Sequence, residues 1–291
     1  MTSSDYLKSR LEYISMRHRG VLSLFLVFAI LINAPLLLAK KIEIPKTPVE
    51  SEIGDQIHRQ IMAAFRPYTE PKVIEYINGI NQSMLKHVER KNLNYEVVVL
   101  YANKIYATSA PGGRIYVTTA LINFLENESQ LAGVLAHELG ELQYQDPKLS
   151  KSKKVMQAIS KGGSMVAPVF GSIGALASLG FAMLHTAVDA STKTAEERLL
   201  KADQKALRYM VLADHDPQGF LDLQYKFLNA SKDQMPYFYE YYQSRPISME
   251  RWNALMKTFG ELPLSGKKFD ARREAYLQAT KGIREIYLAA S

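Results

Sequence analysis

The residues best suited to chemistry lie in one short string, His137-Glu138-Leu139-Gly140-Glu141. Side chains four residues apart lie on the same face of a helix. In H-E-x-x-H helices the two histidines bind zinc, and the glutamate is the general base for the zinc-bound water. Here Glu141 stands at the second histidine position. Because this shorter pattern also arises by chance, the surrounding sequence decides its meaning.

A helix is predicted around this string. Asn127 is a suitable N-cap, Gln130 can reach back as in a capping box, and the helix should run to about Gln145. The apolar residues that fall on one arc of this helix are Leu131, Val134, Leu135, Leu139 and Leu142. Glu138 lies within this arc, and His137 and Glu141 lie along its edge. Because burying a charge without a partner is costly, these acids must have partners.

The rest of the chain supplies a small sheet and more helices. Residues 95–101 and 114–119 are β-rich, and we expect the turn at Pro111-Gly112-Gly113 to join them. Residues 53–90 have helical periodicity that prolines split into two helices, and the pattern from residue 121 onward is helical. The sequence therefore predicts an α+β fold that is mainly helical.

Several strings together make a family resemblance specific. They are Pro111-Gly112-Gly113, Ile115-Tyr116-Val117-Thr118-Thr119, Asn127-Glu128, the run from Leu131 to Gly140, Ala202-Asp203, Asp216-Pro217-Gln218-Gly219-Phe220, Arg245-Pro246 and Glu250-Arg251. They reach from about residue 53 to 257 and resemble the gluzincin zinc metallopeptidases of the HtpX, Oma and BepA type. The resemblance implies a zincin domain in which the strand at 114–119 lines a cleft. Its residues Arg114, Ile115, Tyr116 and Val117 would pair with an extended substrate by edge-strand addition.

The same resemblance implies a metal site, and this sequence departs from it. His137 is kept as a ligand and Glu138 as the general base, but the second histidine ligand falls at Glu141. The glutamate ligand falls at Leu199, and a further histidine, which can close over the metal in some members, falls at Arg245. The aspartate that supports the ligands falls at Asp203.

These departures predict a degenerate metal site. Glu141 can still offer a carboxylate oxygen, but Leu199 has no donor atom and the Arg245 cation would be repelled by a metal ion. Glu196, one turn before Leu199, is the candidate replacement ligand. The alternative is an ion pair between Glu141 and Arg245, including Asp203, in the space of the zinc ion.

Composition narrows the function classes. The 291 residues are 47% hydrophobic and include no cysteine, so disulfides and thiolate metal sites are excluded. The net charge of +7 is spread over lysine-rich loops without interleaved aromatic residues. This pattern favours attraction to anionic lipid, and we do not expect nucleic-acid binding.

The N-terminal region predicts membrane attachment. We expect a tail over 1–19, a transmembrane anchor over 20–39, a linker over 40–52 and the metallopeptidase-like domain over 53–291. A cleaved signal peptide is the rival reading of the anchor. Basic residues slightly favour an extracytoplasmic domain. The uncharged stretch 164–187 is either a second span or, as we favour, a buried or interfacial segment.

The sequence thus predicts a membrane-anchored pseudopeptidase that binds extended polypeptide without cleaving it, in an adaptor or quality-control role. Its partners would be polypeptide clients, including membrane or envelope proteins, and the expected cofactor is none. The first alternative is an active zinc metalloendopeptidase that uses His137 and Glu138 with non-standard ligands. The second is a structural partner in a membrane complex, with a cleft that no longer binds peptide.

Overall fold

The computed structural model describes residues 48–144, 192–229 and 247–289. The predicted anchor at 20–39, the stretch 164–187 and Arg245 lie outside these ranges. Within them, no helix combines the length and the apolar character needed to cross a bilayer.

The described residues form nine helices and three strands, in a mainly helical α+β arrangement. In chain order they are α1 (Pro48–Ala64), α2 (Pro71–Leu85), β1 (Glu96–Leu100), β2 (Ala107–Ser109), β3 (Arg114–Thr118), α3 (Thr119–Phe124), α4 (Glu128–Tyr144), α5 (Thr192–Leu212), α6 (Pro217–Leu228), α7 (Met249–Gly260), α8 (Arg273–Ala279) and α9 (Lys281–Leu288). The predicted mainly helical fold with a small sheet is confirmed.

The first helix begins earlier than predicted. Residues 48–52, assigned above to the linker, form the first turns of α1. Glu50 in these turns is buried and pairs with the buried Arg90 at 2.6 Å. Arg90 also donates to the carbonyl oxygen of Leu142 near the end of α4, at 2.9 Å. Arg90 therefore joins the start of α1 to the end of α4, through an ion pair on one side and a carbonyl hydrogen bond on the other.

The sheet differs from the prediction in strand number and order. The turn at Pro111-Gly112-Gly113 joins β2 to β3, and the short strand β2 was not predicted. The strand order is β1-β3-β2, with β1 parallel and β2 antiparallel to β3. The prediction that residues 114–119 form an edge strand is wrong, because β3 is the central strand and its backbone pairs on both sides. An added strand would have to pair at β1 or β2.

The outer edge of β1 is closed by other parts of the chain. The Asn78 side chain donates to the carbonyl oxygen of Val97 at 3.1 Å and accepts from the Val97 N–H at 3.0 Å. The N–H of Tyr68 donates to the carbonyl oxygen of Val99 at 2.9 Å. These bonds protect β1 from pairing with another strand.

The two faces of β3 build two clusters of apolar residues. Ile115 and Val117 pack into the main core with α2 and α4. Tyr116 points the other way, against Ile57 and Ile61 of α1. This alternation follows from the two-residue repeat of a strand, and it places the sheet between α1 and the helical core.

Close backbone packing holds α4 among its neighbours. A Cβ atom added at Gly140 would lie 2.7 Å from the carbonyl oxygen of Ala202 on α5, and one added at Gly133 would lie 2.6 Å from the Phe220 ring on α6. Every residue from Glu128 to Leu142 is buried. The only residue type that allows these approaches is glycine, and the approaches bring α5 and α6 against the helix that carries the His-Glu string.

Candidate metal centre

The start of α4 is capped by its own side chains. Oδ1 of Asn127 accepts a hydrogen bond from the Gln130 N–H at 2.9 Å. Oε1 of Gln130 accepts from the Glu126 N–H at 2.8 Å. The predicted cap is confirmed, although Gln130 reaches the residue before the cap. Two N–H groups at the helix start are thereby satisfied, which fixes where α4 begins.

One turn of α4 presents three groups that could hold a metal ion. His137, Glu138 and Glu141 are buried, with exposed fractions of 4%, 0% and 2%. Each offers one ligand atom, and these atoms all lie within 4.8 Å of one another. Among the described residues, no other group of three acidic or histidine side chains meets this condition. The string singled out in the sequence is therefore a single buried cluster.

Asp203 on α5 sets the orientation of His137. Nδ1 of His137 lies 2.7 Å from Oδ1 of Asp203. Arg251 on α7 holds the same carboxylate, with Nε 2.6 Å from Oδ2 and Nη2 2.9 Å from Oδ1. Burial by itself raises the pKa of Asp203, but the Arg251 charge and the His137 hydrogen bond outweigh burial and lower the pKa.

The tautomer of His137 follows from this contact. A carboxylate only accepts, so Nδ1 of His137 carries a proton, and in the neutral imidazole the lone pair is on Nε2. Nε2 is buried and makes no hydrogen bond within the part of the chain that the structure describes. A histidine held by a carboxylate with its other nitrogen available is the usual arrangement of a metal ligand.

Glu141 faces an arginine from α5. Nε of Arg198 lies 3.4 Å from Oε1 of Glu141, and the arginine side chain is 18% exposed. Leu199, the next residue, is buried and has no donor atom. Glu196, the candidate replacement ligand, accepts a hydrogen bond from the Ser248 hydroxyl at the start of α7. It is not in the cluster that could bind metal.

The donors that the described residues supply fall short of the usual catalytic zinc site. His137 fits as a ligand, and Glu141 offers an oxygen of a suitable type. A catalytic site normally has three protein ligands and a water molecule, and Leu199 stands where the resemblance places the third ligand. Glu138 could fill the gap only by leaving the role of general base. Among the described residues, the set is therefore one ligand short.

Sequence reasoning named His137, Glu138, Glu141 and Asp203, and the structure brings all four together. It missed Arg198, which had no signal beyond its place beside Leu199. The proposed pairing of Glu141 with Arg245 concerns a residue outside the described ranges. Among the described residues, the arginine that pairs with Glu141 is Arg198.

Another buried acid, Glu128, anchors the start of α4. Tyr76 on α2 donates to its Oε2 at 2.7 Å, and Arg272 donates to its Oε1 at 2.7 Å. Nδ1 of His215, in the turn between α5 and α6, lies 3.5 Å from the same Oε1. Burial by itself raises the pKa of Glu128, but bonds from His215, Tyr76 and Arg272 outweigh it and lower the pKa to about 2. Three separate segments are thus tied to the helix that carries the site.

A buried His-Glu helix beside a small sheet, with an aspartate supporting the histidine, defines a zinc-metallopeptidase type of domain. Comparison with known families agrees with this geometry. The chain belongs to peptidase family M48, whose family model matches residues 71–259. The predicted resemblance is confirmed, and peptidases of this family depend on zinc.

Individual relatives share a shorter segment. The chain is 28% identical over 93 residues to the beta-barrel assembly-enhancing protease of Escherichia coli (strain K12), which is 32% of this chain and 19% of that protein. The protein of the same name from Yersinia pestis matches with the same identity and the same coverage. The chain therefore spans about a fifth of the length of these curated relatives.

Proposed function

We propose that this M48 chain is a pseudopeptidase, which holds extended polypeptide without cleaving it. The observation that carries the proposal is the ion pair between Glu141 and Arg198, at 3.4 Å. A guanidinium cation beside the second-ligand position opposes a metal dication there, since like charges repel. The buried Leu199 next to it supplies no replacement ligand.

The remaining edge of the described sheet is β2, whose three residues are all buried, so an added strand would have to displace the groups that cover them. Since β1 is closed by Asn78 and β3 is central, strand addition to the described sheet is directed to residues 107–109. The Ala110 N–H donates to the Arg114 carbonyl oxygen, and the Thr118 N–H donates to the Tyr106 carbonyl oxygen. The backbone groups of Tyr106 and Ala110 therefore face β3. Alternation then turns the backbone groups of Ala107 and Ser109 outward. Because β2 packs against α4, an added strand would lie near the helix that carries the His-Glu string.

The proposal includes membrane attachment. Residues 20–39 form an apolar run of bilayer length, and the chain has a net charge of +7. We propose that this run anchors the chain once, with the domain outside the cytoplasm and with membrane or envelope proteins among its clients. The names of the relatives, which refer to assembly of β-barrels, support a client of this kind.

Metal content and cleavage test the proposal. The full chain, purified in detergent after growth with zinc, should contain far less than one zinc per chain. It should bind casein without cleaving it, and a chelator such as 1,10-phenanthroline should change neither result. One zinc per chain with chelator-sensitive cleavage that Glu138→Gln abolishes would overturn the proposal.

That overturning result is the signature of the second candidate, an active zinc metalloendopeptidase. The available lone pair on Nε2 of His137 favours this candidate, because a histidine supported by Asp203 is prepared for a metal. His137 and Glu141 would be ligands and Glu138 the general base. A third ligand would have to come from outside the described residues.

A further inference from the structure

The outer side of α5 carries a stripe of basic side chains. Lys201, Lys205 and Arg208 recur at spacings of four and three residues, so they lie on one side of the helix. Leu212 continues the stripe to the end of α5 and is 51% exposed. Glu197, one turn before Lys201, marks the other end of the stripe. About three turns of α5 are thus basic on this side and end on an exposed apolar side chain.

The segment that follows α2 extends this basic surface. Glu89 accepts from Lys205 and from the hydroxyl of Tyr209, so residues 86–91 lie against α5. Lys86 and Lys91 in this segment are exposed. The acid between them is thus bonded to α5, while the two lysines add positive charge beside it.

Lys267 completes the surface at the end of α5. Its Nζ donates to the carbonyl oxygen of Val211 at 2.9 Å and to Oδ1 of Asp214 at 2.6 Å. The hydrogen bond from Lys267 lowers the pKa of Asp214 and the charge of Lys86 adds to the effect, so both lysines lie beside the end of α5. We call this surface the basic face, and its members are Lys86, Lys91, Lys201, Lys205, Arg208, Leu212 and Lys267.

An aromatic side chain borders the basic face at the end of α4. Tyr144 is partly exposed, and the Nζ atoms of Lys201 and Lys205 lie 5.9 and 5.3 Å from the centre of its ring. Tyrosine has an apolar body and a polar tip, and it is enriched where a bilayer meets water. The basic face therefore combines cations with side chains that suit the boundary of a membrane.

The start of α1 lies beside the basic face. Glu50 in the first turn of α1 pairs with Arg90 at 2.6 Å. Arg90 stands between Glu89, which binds Lys205, and Lys91. The point at which the chain enters the domain is therefore next to the basic face.

Chain length then limits how far this point can be from a bilayer. Residues 40–47 connect the apolar run at 20–39 to α1, and eight residues span at most about 30 Å. With the run in the bilayer, as proposed above, the start of α1 is held within about the diameter of a small domain from the membrane surface. The tether therefore keeps the basic face close to lipid headgroups.

We infer that the basic face lies on an anionic bilayer, with Leu212 inserted among the lipid headgroups. Each basic side chain close to an anionic surface adds attraction, and an exposed apolar side chain beside the cations adds burial in the interface. This inference rests on the proposed membrane attachment, since the anchor supplies the proximity, and it names the side of the domain that touches lipid. An acidic protein would match the charge but would not explain the position of this face beside the tether.

A single label at Leu212 tests the inference, because the chain has no cysteine of its own. Full-length Leu212→Cys is labelled with the fluorophore NBD and placed in nanodiscs of phosphatidylcholine, alone or mixed with phosphatidylglycerol. Contact is measured as quenching by lipids with a nitroxide near the headgroup. Tyr225→Cys on α6 is the control position, since Tyr225 is similarly exposed at 55%. In the anionic discs, quenching at Leu212 should be about threefold or more that at Tyr225, and high salt should weaken it.

Matched pairs of substitutions assign the contact to the basic face. Lys201→Gln with Arg208→Gln should lower the ratio of contacting to non-contacting domains by about tenfold or more, because two cations near the surface are removed. Lys72→Gln with Lys257→Gln removes the same charge at exposed positions on α2 and α7, and should keep the contact. Thermal unfolding of both double variants shows that they fold.

The outcomes separate this inference from the proposed anchor. Quenching at Leu212 that is no stronger than at Tyr225, that is equal in both lipids, or that falls equally in both double variants overturns the lipid contact and leaves the anchor intact. A chain that enters neither kind of disc overturns the anchor and this inference together. Binding of polyglutamate that is lost in the Lys201 and Arg208 variant, without quenching that depends on lipid, would assign the face to an acidic protein and overturn the inference.

Discussion

Oδ1 of Asp203 lies 2.7 Å from Nδ1 of His137, and Arg251 binds the same carboxylate from α7. The histidine is on α4 and the aspartate is on α5, so three helices determine one imidazole orientation. Asp203 is fully buried, and its lowered pKa keeps it a carboxylate at neutral pH. The reactive side of His137 is therefore prepared by residues far away in sequence.

Asp203→Asn should loosen this arrangement. The amide is neutral, so the buried Arg251 loses the anion that compensates its charge, and we expect a loss of about 3–5 kcal/mol in the free energy of unfolding. His137 should also lose its fixed tautomer, because an amide can either donate or accept. Urea unfolding measures the first effect, and ¹⁵N shifts of the His137 ring measure the second. An unchanged Nδ1–H tautomer in the variant would show that Asp203 does not set it.

The pKa of Glu128 predicts a pH dependence of stability. The folded-state pKa is about 2, below its usual value, so this carboxylate stabilises the fold above its unfolded pKa of about 4.3 and the gain is lost as pH falls toward 2. Its contribution at pH 7 is on the order of 2–3 kcal/mol. Glu128→Gln should lower stability at pH 7, and the gap to wild type should narrow between pH 5 and 3. Urea unfolding midpoints at these pH values measure the stability gap between the two proteins. A gap that does not change with pH would contradict the lowered pKa of Glu128.

The helix that carries the site could be read from the sequence because its signals are local. Asn127 and Gln130 mark its start through bonds within four residues, and the Asn127 contact is of the predicted kind, while Gln130 reaches Glu126. Apolar spacing predicted that one face of α4 is buried, but it did not predict that the helix is buried on every side from Glu128 to Leu142. Strand β2 could not be read in this way, because Ala107, Thr108 and Ser109 are small and give no alternating apolar pattern.

The partner of Glu141 could not be predicted because it depends on how α5 lies against α4. The resemblance directed attention to Arg245, at the position where it implies a histidine in some members of the family. Arg198 stands one residue before Leu199, about 100° around the helix, and periodicity alone does not turn it toward Glu141. The close approach of Gly140 to Ala202 fixes the contact between the helices.

Arg90→Met tests how firmly α1 is held. The substitution removes the 2.6 Å ion pair with Glu50 and the bond to the Leu142 carbonyl. We expect a loss of about 3–5 kcal/mol, because one buried partner is removed and the other stays. Adding Glu50→Gln should recover part of that loss. Chemical unfolding of the two single variants and the double variant gives the coupling free energy between Arg90 and Glu50. Strictly additive losses would show that the two residues do not act as a unit.

Gly140→Ala should separate α4 from α5. The new Cβ would lie 2.7 Å from a backbone oxygen, which cannot rotate away, so a loss of about 1–3 kcal/mol is expected. Gly79→Ala on α2 is the control, because nothing lies within 4 Å of its added Cβ. That variant should gain about 0.5–1 kcal/mol from helix propensity. Thermal unfolding of both variants measures the contrast, and a neutral Gly140→Ala would mean that the helices can move apart freely.

Restoring the ligands should restore zinc binding. Glu141→His supplies the second histidine, and Leu199→Glu supplies a carboxylate at the third-ligand position. Arg198→Gln removes the cation beside the site, and we expect it to raise zinc affinity by about tenfold or more over the two ligand changes alone, since charge repulsion is relieved. Glu141→His by itself should not bind zinc stably, because two histidines fall short of three ligands. Zinc per chain and the visible absorption of a cobalt-loaded sample measure both effects. If the triple variant stayed free of metal while folded, the site would have to be blocked by more than the Glu141–Arg198 ion pair and Leu199.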